Sequence, residues 1–151
     1  MSTAEKSTVD IRPMTPSDIH AVMALDREID SGRGLLSYAD MGAPERGGRL
    51  DLSFVAEVDS KIVGFIMSRL VYLMIPFTEV CVIQGIFVHP THQERNIGSK
   101  LLQGLIDHCH AEGINTIRAL IPEHNIELRQ FAERHGFRRS KIINFDKTFE
   151  S

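Results

Sequence analysis

Val80-Cys81-Val82-Ile83-Gln84-Gly85-Ile86-Phe87-Val88, then His89-Pro90-Thr91-His92-Gln93-Glu94-Arg95-Asn96-Ile97-Gly98-Ser99, then a helical run to Glu112 make up the stretch that decides the fold. The first part is a nearly continuous apolar run rich in β-branched residues, which suits a strand buried on both faces. Pro90 has no N–H for a ladder, so the strand ends near Val88. From Ile97 onward, apolar residues recur at Ile97, Leu101, Leu102, Leu105, Ile106 and Cys109, while Lys100, Gln103, Asp107 and His110 take the other side. That is a helical period. Gly113 follows where a C′ residue belongs.

Between strand and helix, Asn96 and Gly98 stand where a left-handed backbone or a close backbone approach is tolerated. Such a turn presents N–H groups at the positive end of the helix macrodipole, a site for a phosphate or pyrophosphate. Gly85, inside the strand, marks a bulge or a tight fit against a neighbouring side chain. If the strand splays from its neighbour there, the backbone groups of Ile86, Phe87 and Val88 are left to pair with an extended amide ligand.

Working outward, Val9-Asp10-Ile11-Arg12 alternates like a short strand. Thr15-Pro16-Ser17-Asp18 is a helix start, with Thr as N-cap, Pro at N1 and an acid at N3. Ile19, Val22, Met23 and Ile29 set that helix's apolar face, with Asp26 at its edge. Residues 31–49 hold Gly32, Gly34, Gly42, Gly47 and Gly48 together with Arg33, Tyr38 and Asp40. They read either as a surface loop with a short helix near Leu35–Met41 or as a substrate lid. Phe54–Val58, a turn at Asp59-Ser60 and Ile62 to Tyr72 form a hairpin. Thr116–Ile121, reached by a helical crossover, must be parallel to the central strand. A helix from Ile126 stops at Gly136, and Phe137–Arg139 and Ile142–Phe149 alternate as two closing strands.

The Ile-Phe-Val-His-Pro strand end, Gln93-x-x-Asn96-x-Gly98 and the amphipathic helix resemble the first cofactor motif of the GNAT N-acetyltransferase superfamily. Asn96 stands at that motif's middle glycine. Asn125 with Gly136-Phe137 resembles the family's second motif, and Ile-Arg-Pro-Met-Thr-Pro-Ser-Asp resembles the opening of many of its members. The resemblance implies an α/β (α+β) fold, with a mixed, mostly antiparallel sheet of six to seven strands flanked by about four helices. It implies acetyl-CoA as cosubstrate, its pyrophosphate on the amides of Gln93, Glu94, Arg95, Asn96, Ile97, Gly98, Ser99 and Lys100. The pantetheine arm would lie along Ile86, Phe87 and Val88, with Asn125 nearby. Tyr38 and Asp40 would line the site of an amine acceptor, a small molecule or a peptide, and the family leaves room for a homodimer. Ala132 stands where the family commonly has the tyrosine that protonates the leaving thiolate.

Direct acetyl transfer needs a group that takes the ammonium proton and a way to release a thiolate. Glu79 and Glu57 are the candidate bases, and Gln84 can anchor a water. Tyr72 and Tyr38 are candidate acids, as is a water held by Asn125. An alternative is a CoA-binding regulatory or interaction domain with little turnover; a third reading is another nucleotide-phosphate binder.

At 151 residues, with 42% hydrophobic and 25% charged side chains, the chain is expected to be a single globular domain, residues 1–8 forming a flexible tail. No apolar run reaches the ~20 residues of a membrane span. A formal charge of −3 argues against a nucleic-acid binder. Two cysteines and a polar N-terminus point to a reducing compartment, the cytoplasm. No metal is expected: His108 and His110 lie about 200° apart around a helix, and His89 and His92 lack a third partner. Cys81 and Cys109 read as buried apolar residues.

Overall fold

The computed structural model describes residues 8–29, 52–74 and 77–150. By Cα proximity it divides into two units, Met1–Leu120 and Ile121–Ser151. In the first unit, β1 (Val9–Pro13) leads through a 3-10 turn (Pro16–Asp18) into α1 (Ile19–Ile29). Then come β2 (Phe54–Val58), β3 (Lys61–Met74) and β4 (Phe77–Val88), a second 3-10 segment (Pro90–Arg95), α2 (Ile97–Ala111) and β5 (Ile117–Ala119). The strands form one sheet in the order β1-β2-β3-β4-β5. The first four are antiparallel neighbours, and β5 runs parallel to β4, as a helical crossover requires.

Turn chemistry sets the β2–β3 register. Asp59 and Ser60 both take positive φ, 52° and 62°, the geometry of a two-residue hairpin turn whose twist matches its strands. Asp18 accepts from the Thr15 N–H at 2.8 Å, which secures the entry to α1. Arg12 of β1 donates to both Asp18 oxygens and, through Nε, to Glu57 of β2 at 2.8 Å. The helix start is thereby tied to the edge of the sheet.

A helix covers each face of the sheet. On one face α1 buries Ile19, Val22 and Leu25 against Val55, Phe65 and Met67. Asp26, expected at the edge of the α1 face, is 1% exposed. On the other face α2 buries Ile97, Leu101, Leu102, Leu105 and Cys109, each contributing about 2 kcal/mol by removal from water. Two glycines bring α2 close. A Cβ on Gly104 would lie 3.1 Å from Ile11 Cγ2, and one on Gly64 would lie 3.4 Å from both Ile97 Cγ2 and Leu101 Cδ1. Gly113, at φ 78°, ends α2 as its position predicts.

The second unit holds α3 (Ile126–Arg134), N-capped by Asn125, whose side chain accepts from the Leu128 N–H at 3.1 Å. The expected closing strands are corrected here: 137–150 form no ladder, and Ile142, Ile143, Phe145 and Phe149 are exposed. Alternation encodes which face a side chain takes; it does not supply a neighbouring edge. The described sheet therefore has five strands rather than six or seven. The described residues hold three α-helices and two 3-10 segments rather than four helices, while the short helix expected at Leu35–Met41 lies outside the described residues.

Candidate active site

The strand-turn-helix unit is built from β4, Pro90–Arg95 and α2. His89 opens the turn: its Nδ1 accepts from the Thr91 N–H at 3.2 Å, so the neutral ring carries its proton on Nε2. That nitrogen lies 3.7 Å from Glu28 Oε2 on α1. Gln93 donates from Nε2 to the Val88 carbonyl at 3.2 Å, folding the turn back onto the strand end. Asn96 takes the left-handed conformation, φ 56° and ψ 30°, and puts no side-chain cap on α2. The Lys100 N–H bonds to the Asn96 carbonyl at 3.0 Å, so the helix ladder begins there and the first-turn amides of Ile97 and Gly98 point out of the helix start. Gly98 itself is helical, not left-handed. Lys100 is exposed, and the side chains of Glu94 and Arg95 lie outside the described residues.

The opening in the sheet is where Gly85 predicted it, with a sharper cause. Ser68 of β3 pairs with Ile83, and Met67 with Gly85, leaving Gln84 as the extra residue of a bulge. Gly85 itself makes room for the Phe87 ring, whose Cε2 would lie 2.8 Å from an added Cβ. The β4–β5 pairing stops at Ile83 with Ala119. Beyond it, among the described residues of the first unit, the ladder partners of β4 are those of β3.

The bulge also exchanges which residues aim backbone groups at that open edge. Before it, the Cys81 N–H reaches the β5 side, bonding to the Thr116 carbonyl at 3.0 Å. After it, the His89 N–H reaches the β3 side, bonding to the Val63 carbonyl at 2.7 Å. Strand alternation then turns Phe87 toward β3 and gives the open edge to Ile86 and Val88. The sequence, read without the bulge's parity, assigned all three to the ligand. Of these groups the Val88 carbonyl is already taken by Gln93.

The remaining site residues separate. Tyr72 and Glu79 are cross-strand partners on β3 and β4, both exposed. The strand rise puts Glu79 about 17 Å from exposed Gln84. Glu57 is committed to Arg12. Asn125 caps α3 in the second unit, where Ala132 is buried at 8% exposure. Tyr38 and Asp40 lie outside the described residues. Among the described residues, no group of three or more His, Cys, Asp or Glu is placed to hold a metal ion, and no helix is long and apolar enough to cross a membrane. Sequence reasoning missed Gly64, which seats the first turn of α2. Its signal was the one that exposed Gly85, a glycine inside a strand.

Comparison with known proteins places this geometry. The model of the acetyltransferase (GNAT) family matches residues 22–137. An uncharacterised N-acetyltransferase of Methanocaldococcus jannaschii is 30% identical over 91 residues, 60% of this chain and 40% of that protein. The match thus spans less than half of the relative's length. Among solved structures, the aminoglycoside N-acetyltransferase AAC(6')-Iy in complex with CoA superposes with a TM-score of 0.77 at 19% identity, covering 97% of this chain and 99% of that one. The ribosomal-protein-alanine N-acetyltransferase of Brucella melitensis biovar Abortus 2308 gives 0.74 at 19% identity, covering 94% and 99%.

Proposed function

This chain belongs to the acetyltransferase (GNAT) family, and from that premise we propose that it moves an acetyl group from acetyl-CoA to a primary amine by direct transfer. The acceptor is a small molecule or a protein N-terminus or lysine. The observation that carries the reading is the bulge at Gln84 beside an outward-facing helix start. One offers an extended amide chain a strand edge, the other offers a pyrophosphate its N–H groups. Ile86 and Val88 would take the two amides of the pantetheine arm, and the amides from Arg95 to Ser99 the pyrophosphate. Lys100 supplies charge beside them.

The arm then runs back along β4 from Val88 toward Gln84, about 13 Å of strand. The acyl carbon accordingly lies at the bulge, far from Glu79. Gln84, exposed there, anchors the water that removes the ammonium proton, Glu79 serves only as a distant acceptor through solvent, and Tyr72 beside it only as a distant acid. The amine attacks the thioester carbon, the oxyanion collapses, and the thiolate leaves. With a methyl at Ala132, departure as the anion or through water suffices, because a thiol titrates near pH 8.5 and leaves tolerably near neutrality.

Calorimetry with CoA and thiol release from acetyl-CoA with a panel of amines test the reading. Gly98→Val should weaken CoA binding by tenfold or more by blocking close approach. Wild-type affinity in Gly98→Val would remove the cradle assignment. Tight CoA binding without turnover on any amine would favour a CoA-binding regulatory domain, the reading that Ala132 supports.

A further inference from the structure

We propose that Ser53 is a positioning residue for the pantetheine slot: its hydroxyl clamps the β3 backbone opposite the Gln84 bulge and so keeps β4 in the shifted register. The inference rests on the CoA reading above. Ser53 and Ser68 are 1% and 4% exposed, polar side chains deep in the sheet. The β2–β3 ladder begins at Phe54, paired with Ile66, so Ser68 lies beyond the end of β2. There the Ser53 hydroxyl takes over the role of a strand. It accepts from the Ser68 N–H at 3.1 Å and donates to the Ser68 carbonyl at 3.3 Å.

Ser68 is also the residue at which β3 and β4 change register. Its own hydroxyl donates to the Leu52 carbonyl and accepts from Cys81 Sγ at 3.3 Å. One residue is therefore fixed to the end of β2 by its backbone and side chain, and to β4 just before the bulge. A bulge is held only while its flanks are held, since a one-residue slip restores a regular ladder. Such a slip would undo the parity exchange, returning Ile86 and Val88 to β3 and turning Phe87 to the slot. The slip would also cost the Gln93 bond to the Val88 carbonyl, but the first-turn amides of α2 are fixed by Asn96 and by the helix itself, so the pyrophosphate end would change far less than the slot.

Adenosine 3′,5′-bisphosphate, which lacks the pantetheine arm, separates the two halves of the site. Ser53→Ala should weaken CoA about tenfold, the scale of one or two lost buried hydrogen bonds, and leave bisphosphate affinity within about twofold. Ser53→Thr, which keeps the hydroxyl, should restore CoA affinity toward wild type. Should Ser53→Ala fail to fold, Ser53→Cys, with its weaker hydrogen bonds, should show the same selective loss at smaller size. Equal losses for both ligands, or none for CoA, would overturn the inference and leave the CoA reading standing. A wild-type chain that binds neither ligand overturns both.

Discussion

At Asn96 a single backbone conformation decides how the chain turns into α2. Its φ of 56° costs most residues about 1–2 kcal/mol, but asparagine, with a short polar side chain, tolerates it and glycine adopts it freely. Asn96→Gly should therefore keep CoA affinity and turnover near wild type. Asn96→Val, β-branched in that conformation, should lose at least 1 kcal/mol of stability and bind CoA more weakly. Thermal melts and calorimetry on both variants check this, and equal behaviour of the two would show that the turn does not rely on the left-handed residue. That much was legible in the sequence because residue type and backbone conformation are local matters. Gln93 is different. Its place in the motif was visible, yet its donation to the Val88 carbonyl was not, since spacing does not tell which acceptor a long side chain reaches. Likewise Gly85 announced a bulge, while the residue actually bulged is its neighbour Gln84.

Where elements meet, the join between β1, α1 and β2 carries a titratable load. Hydrogen bonds from Arg12, foremost, and from Thr15 hold the Asp18 carboxyl at about 2, well below its ordinary range, against the opposing effect of burial. A depressed carboxyl adds stability that is full above its unfolded value near 4 and lost as pH falls through about 2. The shift corresponds to about 2 kcal/mol. Asp18→Asn should accordingly be less stable than wild type by roughly that amount at pH 7, with the gap closing between pH 4 and 2. Urea midpoints across that range measure it, and a gap independent of pH would show that the carboxylate's charge contributes nothing. Thr15-Pro16-Ser17-Asp18 announced the helix start from sequence. The partners of Asp18 across β1 and β2 are long-range, and no local pattern encodes them.

Across the whole molecule, the hairpin and the parallel crossover followed from strand, helix and turn signals that each act within one element, whereas the pairing of β1 with β2 did not. What failed was the C-terminal pair of strands. Ile142 to Phe149 alternates as a strand should, but pairing requires an edge that alternation does not name. Amides of 138–150 should therefore exchange with deuterium far faster than those of β3 and β4, and slow exchange there would establish a pairing partner. The open edge of β4 has a different consequence, one for storage and handling. On the proposed reading, the Ile86 backbone groups and the Val88 N–H offer any extended chain a template where the described β4–β5 ladder has ended, which should make the ligand-free state prone to clumping through edge-to-edge recruitment. If the proposed reading holds, the donor would act as a plug as well as a reactant: concentrated samples held with CoA should scatter less light over time than samples held without it, and adenosine 3′,5′-bisphosphate, which lacks the pantetheine arm, should give no such protection.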